Sequence, residues 1–162
     1  MACFAVLPSH AAERAPVLEG GAVTVEPFDR DALLFSDRNY TLRAVPRALE
    51  GMKFLRASMT RGQTIRCLEP GTLYALTPLP DHPRAASQHD ALVRLGFTRF
   101  DTPPFQLYGK EATAICIVFR KELTAGESIA LGKWAVLLGG AGLRVVPPRA
   151  SSTAGIGLCC LN

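Results

Sequence analysis

No run of apolar residues in this chain approaches the eighteen or so that a membrane-crossing helix requires. Its five cysteines, Cys3, Cys67, Cys116, Cys159 and Cys160, never fall into the C-x-x-C spacing of a tetrahedral zinc site. Basic residues outnumber acidic ones by 18 to 14, yet the arginines stand singly from Arg30 to Arg149. A nucleic-acid surface concentrates its cations on one face or in one run, so this scatter argues against a nucleic-acid partner. G-x-S-x-G, H-E-x-x-H and local Cys-His signatures are all missing, which removes the familiar hydrolase and zinc-protease patterns. Aromatic residues are sparse, with one Trp and three Tyr, so any ring-based binding surface has few choices.

What remains describes an ordinary globular chain. Its 162 residues, 48% apolar and 20% charged, fit one domain that needs no metal or disulfide to close a core. Cys67 and Cys116 sit in apolar strand-like runs and read as small core residues; spacing leaves open whether they are bridged. The start, "MACFAVLPSHAAERA", joins a short apolar stretch to Ser9-His10-Ala11, as at the end of a secretory signal, but lacks a basic beginning. Residues 1–20 are therefore read as an N-terminal segment with the features of a signal-peptide remnant. The expected location is extracellular or periplasmic.

From Gly21 onward the signals are short, alternating and punctuated by turn residues. "GAVTVEP" alternates as a strand that Pro27 ends. "DALLFSDRNYTLRAVP" reads as two short apolar pieces around a polar corner. "EGMKFLRAS" follows, and Glu69-Pro70-Gly71 reads as a hairpin turn between Ile65–Leu68 and Thr72–Leu76. A single helix is expected near residues 87–95, with Ser87 to cap it and Gly96 to end it. Strands resume in "FTRFD", "FQLYG", "TAICIVFR", "ESIAL" and "WAVLL". The fold expected is all-β: an antiparallel, jelly-roll-like β-sandwich over residues 21–146 with one short helix, followed by a flexible tail at 147–162.

Two stretches invite a chemical reading. "AGESIALGKW" contains a Gly-Lys pair, but Gly126 and Gly132 enclose five residues where a phosphate loop needs four, and Trp134 stands where Ser or Thr would bind magnesium. A turn joining two strands explains it better, and "GGAGLR" likewise lacks the third glycine and βαβ setting of a dinucleotide site. "DHPRAASQHD" brings Asp81, His82, His89 and Asp90 close in sequence, donors that could hold a divalent metal or share a proton. His82 precedes a proline, however, and His89 lies in the helix, so a solvated loop and helix start is the simpler account. No cofactor is called for.

Asp37, Arg38, Tyr40 and Thr41 form a corner, followed by Val45-Pro46 and by Leu49 and Gly51 leading to a strand ending in Arg56. On these marks residues 33–138 resemble a β-sandwich module common in bacterial exported and carbohydrate-active proteins. "EPGTLYALTPLPDHP", "ALVRLGFTRFDT", "FQLYGKE" and "FRKELTAGESIALGKW" follow in the same order. Two departures stand out: Leu92-Val93 replaces a Trp-Leu pair, and Lys133-Trp134 replaces a frequent Gly and Asn. Within this pattern Asp37 and Asn39 would fix the corner through backbone amides, and Tyr40 would lay its ring on the core. The resemblance implies a non-catalytic accessory module, glycan-binding or buttressing a linked catalytic domain.

Two alternatives stand beside it: a purely structural or protein-interaction sandwich, and a small metal-dependent hydrolase built on Asp81, His82, His89 and Asp90. For polysaccharide, the candidate ligand residues are Trp134 with Lys133, then Tyr74 and Tyr108, because rings offer rigid area to a sugar face. Trp134 can equally be the first core residue of "WAVLL".

Overall fold

The computed structural model describes residues 10–81, 87–109 and 114–150. Among these, the strands in chain order are β1 (Val17–Gly20), β2 (Thr24–Pro27), β3 (Lys53–Arg56), β4 (Gln63–Glu69), β5 (Gly71–Pro78), β6 (Thr98–Arg99), β7 (Phe105–Gln106), β8 (Ile115–Leu123), β9 (Ser128–Leu131), β10 (Val136–Gly139) and β11 (Arg144–Val146). They form a four-stranded sheet, β11-β1-β4-β9, and a larger sheet, β2-β3-β10-β5-β8-β6, with β7 also paired to β8. Every pairing between these strands is antiparallel except β1 with β11, which run parallel. The fold is an all-β sandwich with one short helix, α1 (His89–Arg94).

Strand chemistry explains which layer each element occupies. In β4 Gln63, Ile65 and Cys67 are buried while Thr64, Arg66 and Leu68 face outward, the period of two expected of a strand with one wet face. In β5, "GTLYALTP", every residue is buried. A strand apolar without alternation belongs to a sheet covered on both faces. Leu73 and Ala75 pack into the core between the sheets with Leu18, Ile65, Ile129 and Leu137. Tyr74 and Leu76 pack on the other face with Phe28, Phe54 and Leu138. That outer face is covered by the irregular segment 28–52, which supplies Phe28, Leu34, Phe35, Leu42 and Leu49, and by Leu107 and Tyr108. The large sheet is thus a middle layer.

Several expectations change. The Glu69-Pro70-Gly71 turn does not close a hairpin, because β4 and β5 lie in different sheets. Pro70 has no N–H to continue a ladder, and the chain crosses layers there. The turn at Ala125-Gly126 does join two strands, β8 and β9, and it too crosses between sheets. Gly126 takes a φ of +86° and its N–H donates to Cys67 O at 2.8 Å. "DALLFSDRNYTLRAVP" forms no strand pair beyond single bridges, Leu33 to Thr41 and Phe35 to Ala57, because its apolar side chains are used to cap the sheet.

The expected helix is present but shorter. The N-cap is Gln88, without a side-chain cap bond, and not the expected Ser87, whose Oγ accepts from His89 N at 3.2 Å; Gly96, at φ +82°, ends the helix by donating to Val93 O. Cys67 and Cys116 are both buried free thiols, in opposite sheets. Burial pushes the Cys116 thiol up to about 12.

The N-terminal region is part of the domain well before residue 21. β1 lies between β11 and β4, and residues 10–16 form a strap against the large sheet. Ala11 O accepts from Ala141 N at 3.1 Å, and Arg14 O accepts from Thr72 N at 2.8 Å. The Glu13 carboxylate accepts from Tyr74 Oη at 2.8 Å and from His10 Nδ1 at 2.7 Å, with Arg120 Nη2 at 3.4 Å. Two glycines make room for it. A Cβ on Gly71 would stand 2.4 Å from Pro16 N, and one on Gly140 would stand 2.7 Å from Glu13 O.

Candidate functional site

At one end of the sandwich the polar corner 36–41, the turn 58–62, the segment 107–109 and the turn 132–134 meet. Asp37 ties the first two together. Its Oδ2 accepts from Ser58 Oγ and Thr60 Oγ1, each at 2.7 Å, and its Oδ1 accepts from Met59 N at 2.8 Å. Led by the Ser58 and Thr60 hydroxyls, these donors hold the carboxyl well below the usual carboxylate range. The expected amide-binding role of Asp37 is present, though its partners lie over twenty residues away rather than nearby.

The folded carboxylate is harder to protonate than the unfolded one. Its stabilising contribution is therefore complete above the unfolded value of about 4 and drains away as pH falls through and below it. Asp37→Asn should melt several degrees below wild type at pH 7, with the gap narrowing steadily from pH 5 to pH 2. A gap independent of pH in thermal melts would contradict the carboxylate's role.

The next link is Met59 O, which accepts from Trp134 N at 3.1 Å. Trp134 sits outside β10, in the turn before it, with φ of +72°. A bulky residue there is strained by roughly 1–3 kcal/mol and needs surroundings that impose it. Here Gln88 supplies them: its Oε1 accepts from Gly132 N at 2.9 Å and its Nε2 donates to Lys133 O at 3.1 Å. Gln88 is itself anchored through its N–H to Thr77 Oγ1 at 2.6 Å.

This turn brings Trp134 beside Tyr108, with ring centroids 6.2 Å apart and planes tilted by 36°. Tyr108 in turn stacks on Tyr40, centroids 4.5 Å apart and planes within 3° of parallel. Phe35 meets both tyrosines edge-on. Tyr108, the middle ring, is buried, Trp134 is half-buried and Tyr40 is 38% exposed, so the ladder reaches the surface at Tyr40.

The sequence-derived candidates thus divide. Trp134, Lys133 and Tyr108 come together, and Trp134 also packs against the core, the role expected of the first residue of "WAVLL". Tyr74 does not join them: it is fully buried in the centre of β5, with its hydroxyl on Glu13. Tyr40 does lay its ring on the core, as expected, stacked on buried Tyr108, and it is also the outermost of the three rings; its place in an exposed corner is the signal for the second property. Of the metal candidates, His82 lies outside the described residues. Asp81 is exposed, and His89 Nδ1 pairs with its neighbour Asp90 at 2.9 Å while its ring meets Phe119 edge-on. Among the described residues no three His, Cys, Asp or Glu side chains converge on a metal-sized site.

Two clefts flank the turn 58–62. One, of about 440 Å³, lies between it and the corner and includes Asp37, Arg38 and Arg61. The other, of about 410 Å³, lies towards β9 and includes Arg61, Leu131 and Lys133. Among the described residues no helix is long and apolar enough to cross a membrane.

No family model and no curated protein sequence matches the chain. Solved structures do resemble it. A GH138 enzyme, described as targeting pectin rhamnogalacturonan II, superposes with a TM-score of 0.57 at 16% identity over 85% of this chain. A β-glucuronidase of glycoside hydrolase family 2 gives 0.49 at 15% identity over 73%. This chain spans 17% of the first and 13% of the second. At such identity the likeness to the GH138 enzyme is one of fold alone.

Proposed function

We propose that this chain is a non-catalytic accessory sandwich of an exported carbohydrate-active protein, and that it holds polysaccharide on the Tyr40–Tyr108–Trp134 ladder. The carrying observation is the ladder itself: a surface ring backed by a stacked buried ring, on loops cross-tied by Asp37 and Gln88. A pre-set ring presents apolar area to a sugar face with little entropy left to lose. The fold likeness to one segment of a much longer glycoside hydrolase supports the accessory role and a linked catalytic domain.

The single tryptophan makes the test direct. Titration with a panel of neutral and acidic oligosaccharides should shift Trp134 emission with saturation. Tyr40→Ala should weaken that binding at least tenfold while lowering stability by about 1 kcal/mol, or 2–4 °C in melting temperature. If no oligosaccharide moves either the emission or the melting temperature, the sandwich is a structural or protein-interaction module.

A further inference from the structure

Resting on that glycan-binding reading, we infer that the sugar chain held here is anionic: a polysaccharide carrying uronate carboxylates. The charges on the two clefts decide this. Arg38, Arg61 and Lys133 are exposed and line them, and Arg61 is common to both. None of the three stands within 4 Å of a carboxylate oxygen among the described residues, whereas Arg120 and Lys121 elsewhere are paired. The one acid lining either cleft is Asp37, and both of its oxygens accept bonds from Ser58, Met59 and Thr60.

Three cations outside any ion pair, set against the single ionised Asp37, leave the rim net positive, with Arg38 and Arg61 in the cleft of Asp37 and Lys133 in the other. Lys133 adjoins Trp134, Arg38 is two residues from Tyr40, and the turn bearing Arg61 is bonded to Trp134 through Met59 O. The clefts and the rings therefore share the corner 36–41 and the turn 132–134, and no ring of the ladder itself lines either cleft. Guanidinium groups bind a carboxylate through paired N–H donors, and an ammonium adds a mobile point charge. A linear uronate repeats such carboxylates along its length, matching cations spread over two clefts on either side of one turn.

The test uses the intact chain with oligogalacturonate, the same oligomer fully methyl-esterified, a neutral β-glucan oligomer and single-stranded DNA, followed by calorimetry. Oligogalacturonate should bind at least tenfold more tightly than its methyl ester. Arg61→Gln should remove about tenfold of that affinity, and raising salt from about 50 to 500 mM should do likewise. The Arg61 side chain is exposed and in no ion pair among the described residues, so Arg61→Gln should keep the wild-type melting temperature. Equal binding of the neutral glucan or the ester, with Tyr40 still required, would overturn the anionic assignment and leave the glycan-binding reading standing. Tighter binding of DNA than of any oligosaccharide would overturn both, as would no binding at all.

Discussion

Gly71→Ala should cost about 3 kcal/mol and lower the melting temperature by roughly 10 °C. The added Cβ would lie 2.4 Å from Pro16 N, 2.5 Å from Ala15 C and 2.6 Å from Arg14 O. All three are backbone atoms, so no side-chain rotation relieves the clash. Either the strap withdraws or β5 moves, and β5 is buried on both faces between β10 and β8. The strap therefore gives way. Its withdrawal breaks the Thr72 N to Arg14 O bond and disturbs the start of β1, where Val17 pairs with Glu69. Overpacking of this kind costs about 1–3 kcal/mol, and a lost backbone bond adds about 1. In a chain of this size each kcal/mol is worth about 2–4 °C. A calorimetric melt within about 2 °C of wild type would show that residues 14–16 do not lie across Gly71.

Tyr74→Ala should be at least as damaging, at about 4 kcal/mol, because it empties a ring-sized volume in the fully buried face of the middle sheet. His10 and Phe100 meet that ring edge-on, so the strap and the 100–108 segment lose their common contact. Tyr74→Phe separates the ring from the hydroxyl. It keeps the packing and loses only the bond to Glu13, for about 1 kcal/mol, since Glu13 is close enough to water to be resolvated. Burial, then the bond to the Glu13 carboxylate, raises the Tyr74 hydroxyl far above its ordinary value, so it stays a donor throughout the useful pH range. Chemical denaturation of both variants would check the pair. Comparable losses for Tyr74→Phe and Tyr74→Ala would mean that the hydroxyl network, and not the ring, secures the strap.

Individual strands were easier to read from sequence than their partners. The alternation of β4 and the unbroken apolar run of β5 are local properties, and each matches its layer. At Pro70 a short turn has the same sequence signature whether it reverses a strand within a sheet or carries it to the opposite one. The Asp-Arg-x-Tyr-Thr corner reads as structural because its anchor, Asp37, is structural. Tyr40 acquires its role only when Tyr108, 68 positions away, slides beneath it. Lys133-Trp134 was visible as a departure from a frequent Gly and Asn. Its physical meaning is the φ of +72° at position 134, a backbone state that glycine and asparagine reach cheaply. Arg61 carried no signal at all: one arginine in a scatter becomes notable only when two clefts share it.

The parallel pairing of β1 with β11 bears on how the domain transmits force. Because the first and last strands run the same way, the chain enters Val17–Gly20 at one end of the ladder and leaves Arg144–Val146 at the other. Tension drawing the two ends apart therefore slides these strands along each other. Their bonds are loaded together, in shear, and cannot be opened singly like a zipper. The seam between the terminal strands is where the module would resist.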